Sequence, residues 1–167
     1  MKKLIVFCIF LFSLNGMYAQ NNPEKQFDFW IGKWNLTWLS ANGKIERGQN
    51  TISEILDGKV IQENFEATEG AQKGYKGISI SVYNANSKTW HQTWMDNQRG
   101  NINFTGFFDE NIKGFITKPQ EVNGKQQVSR MVFKDITKDS FVWDWESSED
   151  GGKTWKLNWQ INYKRAQ

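Results

Sequence analysis

From residue 33 onward, apolar and polar side chains alternate along the chain with little interruption. Trp34, Leu36 and Trp38 alternate with Lys33, Asn35 and Thr37 up to Asn42-Gly43, the strongest short signal for a hairpin. The pattern predicts strands near 33 to 40, 45 to 56, 60 to 67, 75 to 83, 89 to 96, 101 to 108, 112 to 118, 126 to 135, 140 to 147 and 155 to 164. The breaks carry turn chemistry, among them Asp57-Gly58, Asn123-Gly124 and the run from Ser148 to Thr154. Connections this short join antiparallel neighbours, because a parallel pairing needs a crossover of a dozen or more residues. The expected fold is therefore all-β: an up-and-down antiparallel barrel of about ten strands, closed so that no edge is exposed.

Before residue 33 the period differs. Asn22 and Pro23 read as an N-cap and first helical residue, Gly32 as a stop, and Phe27, Trp30 and Ile31 share one face, which predicts a short N-terminal helix. Further upstream, Lys2 and Lys3 precede an apolar run from Leu4 to Leu14 and a polar stretch ending at Ala19. That is the layout of a secretory signal peptide, too short for a membrane span. Residues 1–19 are read as the leader and 20–167 as a single domain, secreted or periplasmic, with no membrane span after cleavage.

Processing changes the chemical inventory. The single cysteine, Cys8, leaves with the leader, so the mature chain has no disulfide, thiol nucleophile or thiolate metal site. Removing Lys2 and Lys3 reduces 21 basic residues to 19 against 18 acidic ones, a net charge of +1 where the full chain has +3. That balance gives a nucleic-acid partner no support.

The stretches FDFWIGKW, SVYNANSKTWHQTWMD and SSEDGGKTWKLNWQINYKR together resemble a family of uncharacterised secreted bacterial proteins of calycin type, lipocalin-like or nitrobindin-like. The resemblance covers most of the mature chain and implies a fold and a compartment, without an activity. Gly32-Lys33-Trp34 is similar to the G-x-W motif of calycins, which implies that Trp34 closes the barrel base against an arginine after the last strand, here Arg165. The nitrobindin branch binds haem through a C-terminal histidine; the last strand here, WKLNWQINYKR, has none.

Ser148, Asp150, Gly152 and Trp155 have the spacing of an Asp box, in which serine and aspartate side chains bond the turn backbone over a tryptophan; the expected role is structural. Aromatic stripes run through Trp34, Leu36 and Trp38, through Phe141, Trp143 and Trp145, and through Trp155, Leu157, Trp159, Ile161 and Tyr163. Strands carrying them meet when the barrel closes, so all are expected inside. Each fully buried indole contributes up to about 4 to 6 kcal/mol, enough for packing alone to explain them. Ten strands nevertheless enclose a cavity unless bulky residues fill it.

Polar residues that interrupt apolar runs are candidate site residues, because a buried charge without a partner is costly. Arg130 lies between Val128 and Val132, Glu63 between Ile61 and Phe65, and Glu54 between Ile52 and Leu56. Facing inward, Arg130 would anchor a ligand carboxylate. The competing reading pairs it with Glu63 or Glu54, or makes Met131 and Phe133 the inward set. The expected function is binding of a small hydrophobic or amphipathic molecule by Trp38, Trp94, Trp143 and Trp145, oriented by Glu63, Gln92 and Arg130.

Other readings stay open. A haem protein would use His91, the single histidine, although alternation places it opposite Trp90, Gln92 and Trp94. A hydrolase or isomerase would use Glu63 or Glu54 as a lone base. Sugar binding would need tryptophans outside the barrel. No metal or nucleotide fingerprint is present, Gly77-Ile78-Ser79-Ile80-Ser81 misses the G-x-S-x-G elbow, and no cofactor is expected.

Overall fold

The computed structural model describes residues 22–109 and 111–167; the leader reading concerns residues outside that set. Eleven strands follow one another: β1 (Gly32–Leu39), β2 (Ile45–Ile55), β3 (Val60–Ala67), β4 (Lys76–Asn84), β5 (Thr89–Asp96), β6 (Asn101–Phe108), β7 (Lys113–Thr117), β8 (Gln120–Val122), β9 (Lys125–Lys134), β10 (Ser140–Ser148) and β11 (Lys156–Arg165). All pairings between them are antiparallel, and each strand from β1 to β6 pairs with the next. β7 passes to β9, β9 to β10, β10 to β11, and β11 returns to β1, which closes a ring of ten strands. β8 stands outside that ring as a short hairpin partner of β9 through Asn123-Gly124, a strand the alternation did not reveal.

The expected N-terminal helix is two single 3-10 turns, Pro23–Lys25 and Asp28–Trp30. Asn22 caps the first, its Oδ1 accepting the Glu24 N–H at 3.0 Å. This segment plugs one end of the barrel. Phe27 and Trp30 are buried, with Phe27 stacked on Phe115 at 4.4 Å and Trp30 5.3 Å from Phe133. Two indole N–H groups bind it to the strands: Trp34 donates to the Trp30 carbonyl at 2.8 Å and Trp90 to that of Pro23 at 2.7 Å. Phe141 lies against Trp34 at 4.8 Å and stacks on Tyr163 at 4.2 Å, so this end is packed solid.

Gly32 explains the G-x-W spacing. Its φ of +141° is one that L side chains rarely adopt, and a Cβ there would lie 2.3 Å from Arg165 Nη1. The missing side chain lets the Arg165 guanidinium lie 4.2 Å over the Trp34 ring and donate to the Ile31 carbonyl at 3.1 Å.

One strand inverts the usual rule. On β4 the apolar Ile78, Ile80 and Val82 point outward, while Gly77, Ser79 and Ser81 are buried. Small inward residues there leave room for bulk from β5: a Cβ on Gly77 would lie 2.0 Å from the Trp94 ring.

Candidate functional site

Above the packed base the interior carries a polar belt. Glu63, from β3, accepts a 2.6 Å hydrogen bond from the Ser79 hydroxyl and a 2.7 Å bond from the Asn50 amide. Asn50 Nδ2 also reaches Tyr163 Oη at 3.1 Å, and Gln92 Nε2 donates to Ser81 Oγ at 3.0 Å. All six residues are buried. Asn50 Oδ1 and Gln92 Oε1 are left as buried acceptors without a partner. Loss of water pushes the Glu63 carboxyl up to about 7, against the opposing effect of the bonds from Ser79 and Asn50. Burial likewise raises the Tyr163 phenol well above its ordinary value.

Over this belt lies a cavity of about 190 Å³, lined by Glu63 and Tyr163 below and by aromatic and aliphatic side chains above, Trp94, Trp143, Trp145 and Trp159 among them. The indoles hold one another in place: Trp143 and Trp145 are nearly parallel at 6.4 Å, and Trp159 stands edge-on to Trp143 at 5.9 Å. The wall reaches the rim at Tyr75, Trp94 and Asp96, which are half-buried. Asp96 works against some desolvation, yet hydrogen bonds from the Gly100 amide, the Trp94 indole, the Tyr75 hydroxyl and the Gln98 amide hold its carboxyl below the usual range.

Of the residues singled out in the sequence, Glu63, Trp94, Trp143 and Trp145 line this cavity. Trp38 lies behind it, buried, 5.3 Å from Trp159, with its N–H donated to Glu46 Oε2 at 2.9 Å. Gln92 is buried in the belt, outside the lining.

Arg130 corrects one expectation. It faces outward from β9, where its Nε meets Glu146 Oε2 at 2.6 Å and its guanidinium stacks 3.9 Å from the Trp155 ring. Met131 and Phe133 take the inward positions, so Arg130 anchors nothing in the cavity. Glu54 is also outside, exposed near the base within 3.9 Å of Lys25 Nζ. His91 is exposed on the outer face of β5 and cannot ligate a group held inside the barrel.

The last stripe is corrected as well. A register shift opposite Trp145/Glu146 pairs Trp145 with Trp159 but Glu146 with Leu157, so Asn158 is an extra residue in β11. Beyond this bulge the faces exchange. Leu157 is exposed, and Trp155 packs outside under Arg130, so three of the four C-terminal indoles share the interior.

The turn between β10 and β11 has the geometry its spacing implied. Asp150 Oδ1 accepts the Lys153 and Thr154 amides at 2.9 Å, Ser148 Oγ accepts the Gly152 amide at 2.9 Å, and Asp150 Oδ2 accepts the Thr154 hydroxyl at 2.6 Å. The residues missed by sequence reasoning are Asn50, Ser79, Tyr75, Asp96 and Glu46. Their signal was a polar side chain at an inward parity of an alternating strand, visible at Asn50 between Gly48 and Ile52 and hidden on β4 by the outward isoleucines.

No family model and no curated protein matches the chain. Among solved structures it is similar to one described as a redesigned β-barrel, at 11% identity over 84% of this chain and 94% of that one, with a TM-score of 0.44.

Proposed function

We propose that this protein is a secreted or periplasmic binding protein that holds a small hydrophobic or amphipathic molecule in the upper half of its barrel. The observation that carries this reading is the cavity of about 190 Å³ walled by Trp94, Trp143, Trp145 and Trp159. Four indoles that line a void on one side forgo contact energy there that a guest would restore. The lower half is packed by Phe27, Trp30, Phe115 and Phe133, none of which lines the cavity. Native mass spectrometry of the purified mature protein, compared with the denatured sample, tests the reading. Added mass that is lost on denaturation supports it. A bare chain under both conditions, with no quenching of tryptophan emission by small aromatic probes, overturns it.

A second reading is favoured by the carboxyl of Glu63, pushed up to about 7 and facing the same cavity: a hydrolase or isomerase with Glu63 as lone general base. Turnover of any screened substrate that persists in Glu63→Gln would end it.

A further inference from the structure

Resting on that binding reading, we infer that the guest is an organic cation: an ammonium group on a small apolar body, seated against the indole faces and neutralised by Glu63. The charge pattern of the cavity points there. Its charged lining groups are Glu63 below and Asp96 at the rim, and among the described residues that line it there is no lysine, arginine or histidine. The basic side chain nearest in sequence pattern, Arg130, is committed to Glu146 and Trp155 outside the barrel. A carboxylate guest would meet like charge on two sides and no counter-charge.

The aromatic walls act in the same sense. An indole presents its negative face to whatever it stacks on, so the faces of Trp94, Trp143, Trp145 and Trp159 favour a positive group over a neutral one of equal shape. Below them, Glu63 accepts one hydrogen bond on each oxygen and has no cationic partner among the described residues. A buried carboxylate in that state is incomplete, and a bound cation supplies the missing charge. Asn50 Oδ1 and Gln92 Oε1 add two buried acceptors without donors to the belt beside it. The indole N–H of Trp159, likewise without a partner, suits a neutral acceptor elsewhere on the guest. Size sets the scale: a cavity of about 150 Å³ admits benzene, so about 190 Å³ takes one ring with a compact head group.

Three probes of matched shape separate the charge from the apolar body: phenyltrimethylammonium, its neutral isostere tert-butylbenzene, and the anion benzenesulfonate. Titrations followed by tryptophan emission at about pH 8.5 are expected to give the cation an affinity about tenfold or more above that of the isostere, with the anion weakest. Of the titratable groups that face the cavity, Glu63 alone changes charge between about pH 5.5 and 8.5. Asp96 stays ionised below that window, while burial and the adjoining Asp96 carboxylate push Tyr75 up to about 12, and Tyr163 is also raised. Cation affinity is therefore expected to fall from about pH 8.5 to 5.5, about eightfold for a tenfold charge advantage and at most about 30-fold for a larger one, while that of tert-butylbenzene changes by less than about twofold. In Glu63→Gln the advantage of the cation over the isostere is expected to shrink to the part the indole faces supply, and the pH dependence of cation affinity to disappear. If tert-butylbenzene binds and the cation binds no tighter, or benzenesulfonate binds best, the cation inference is overturned and the binding reading stands. If no probe binds, both fall.

Discussion

The guanidinium of Arg165 lies 4.2 Å from the centre of the Trp34 ring, and its Nη1 donates to the Ile31 carbonyl at 3.1 Å. One residue thus ties the end of β11 to the start of β1 and to the segment that plugs the base. Arg165→Ala is expected to lower stability by about 2 kcal/mol, through loss of the stacked cation and of the hydrogen bonds to the Ile31 and Lys138 carbonyls. Urea unfolding checks this, with the slope expected to be unchanged. Arg165→Lys should recover only part of the loss, because an ammonium has no plane to stack.

Glu63 makes stability depend on pH in a stated direction. Its carboxyl titrates at about 7 when folded, raised from 4.5 chiefly by burial. Below about pH 4.5 both states are protonated and the buried acid is neutral; as pH rises through 7 the folded state must ionise it at a cost. The stabilising contribution is therefore present at low pH and lost above neutrality, on the order of 3 kcal/mol in all. Comparing urea unfolding of the wild type with that of Glu63→Gln cancels the other groups. The variant should gain relative stability as pH climbs from 4.5 to 7, and parallel curves would count against a buried acid at this position.

Arg130 and Glu146 form a pair with side chains only 22% and 17% exposed. Removing either alone leaves a poorly hydrated charge, so Arg130→Ala and Glu146→Ala are each expected to cost about 2 to 3 kcal/mol. The double variant should cost less than their sum by about 1 kcal/mol or more in a double-mutant cycle. Because the pair lies outside the barrel, binding of tert-butylbenzene in the cavity should be the same in all three variants.

Gly77 is the floor beneath Trp94. A Cβ at this position would lie 2.0 Å from the indole, so Gly77→Ala must displace it and break its 3.2 Å bond to Asp96. The expected result is a shift in tryptophan emission and weaker probe binding, with a stability loss within about 1 to 3 kcal/mol. Unchanged emission and affinity would show that Trp94 does not set the shape of the cavity.

The turn after β10 depends on Ser148, whose buried hydroxyl donates to Asp150 Oδ1 at 2.7 Å and accepts the Gly152 amide. Ser148→Ala is expected to cost about 1 to 2 kcal/mol, read from the unfolding midpoint.

Strand identity was legible wherever one parity was apolar and the other polar. β1 and β5 are such cases, and their inward residues, Trp34, Leu36 and Trp38, and Trp90, Gln92 and Trp94, are the ones alternation assigned. The signal was absent on β9, where Val128 and Val132 compete with Met131 and Phe133, and neither set outweighs the other. It was misleading on β4, whose apolar residues point outward. In β11 the alternation ran unbroken through Trp155, Leu157 and Trp159, and nothing local announced the extra residue that turns the first two away.

What the sequence by itself determined is therefore what short-range physics controls: the strand count of the ring, the turns and the capped N-terminal segment. Alternation and turn chemistry act between neighbours a few residues apart, and they can be read one strand at a time. The site was decided by tertiary structure. Glu63 acquires its raised titration point from burial, which outweighs the lowering effect of the bonds from Ser79 and Asn50, and that burial exists only once the barrel closes and brings together belt residues as far apart along the chain as Asn50 and Tyr163, 113 positions. The sign of the cavity's charge was settled when β9 turned Arg130 outward, because a side chain's face follows from what its strand must pack against, and only the closed barrel supplies that partner.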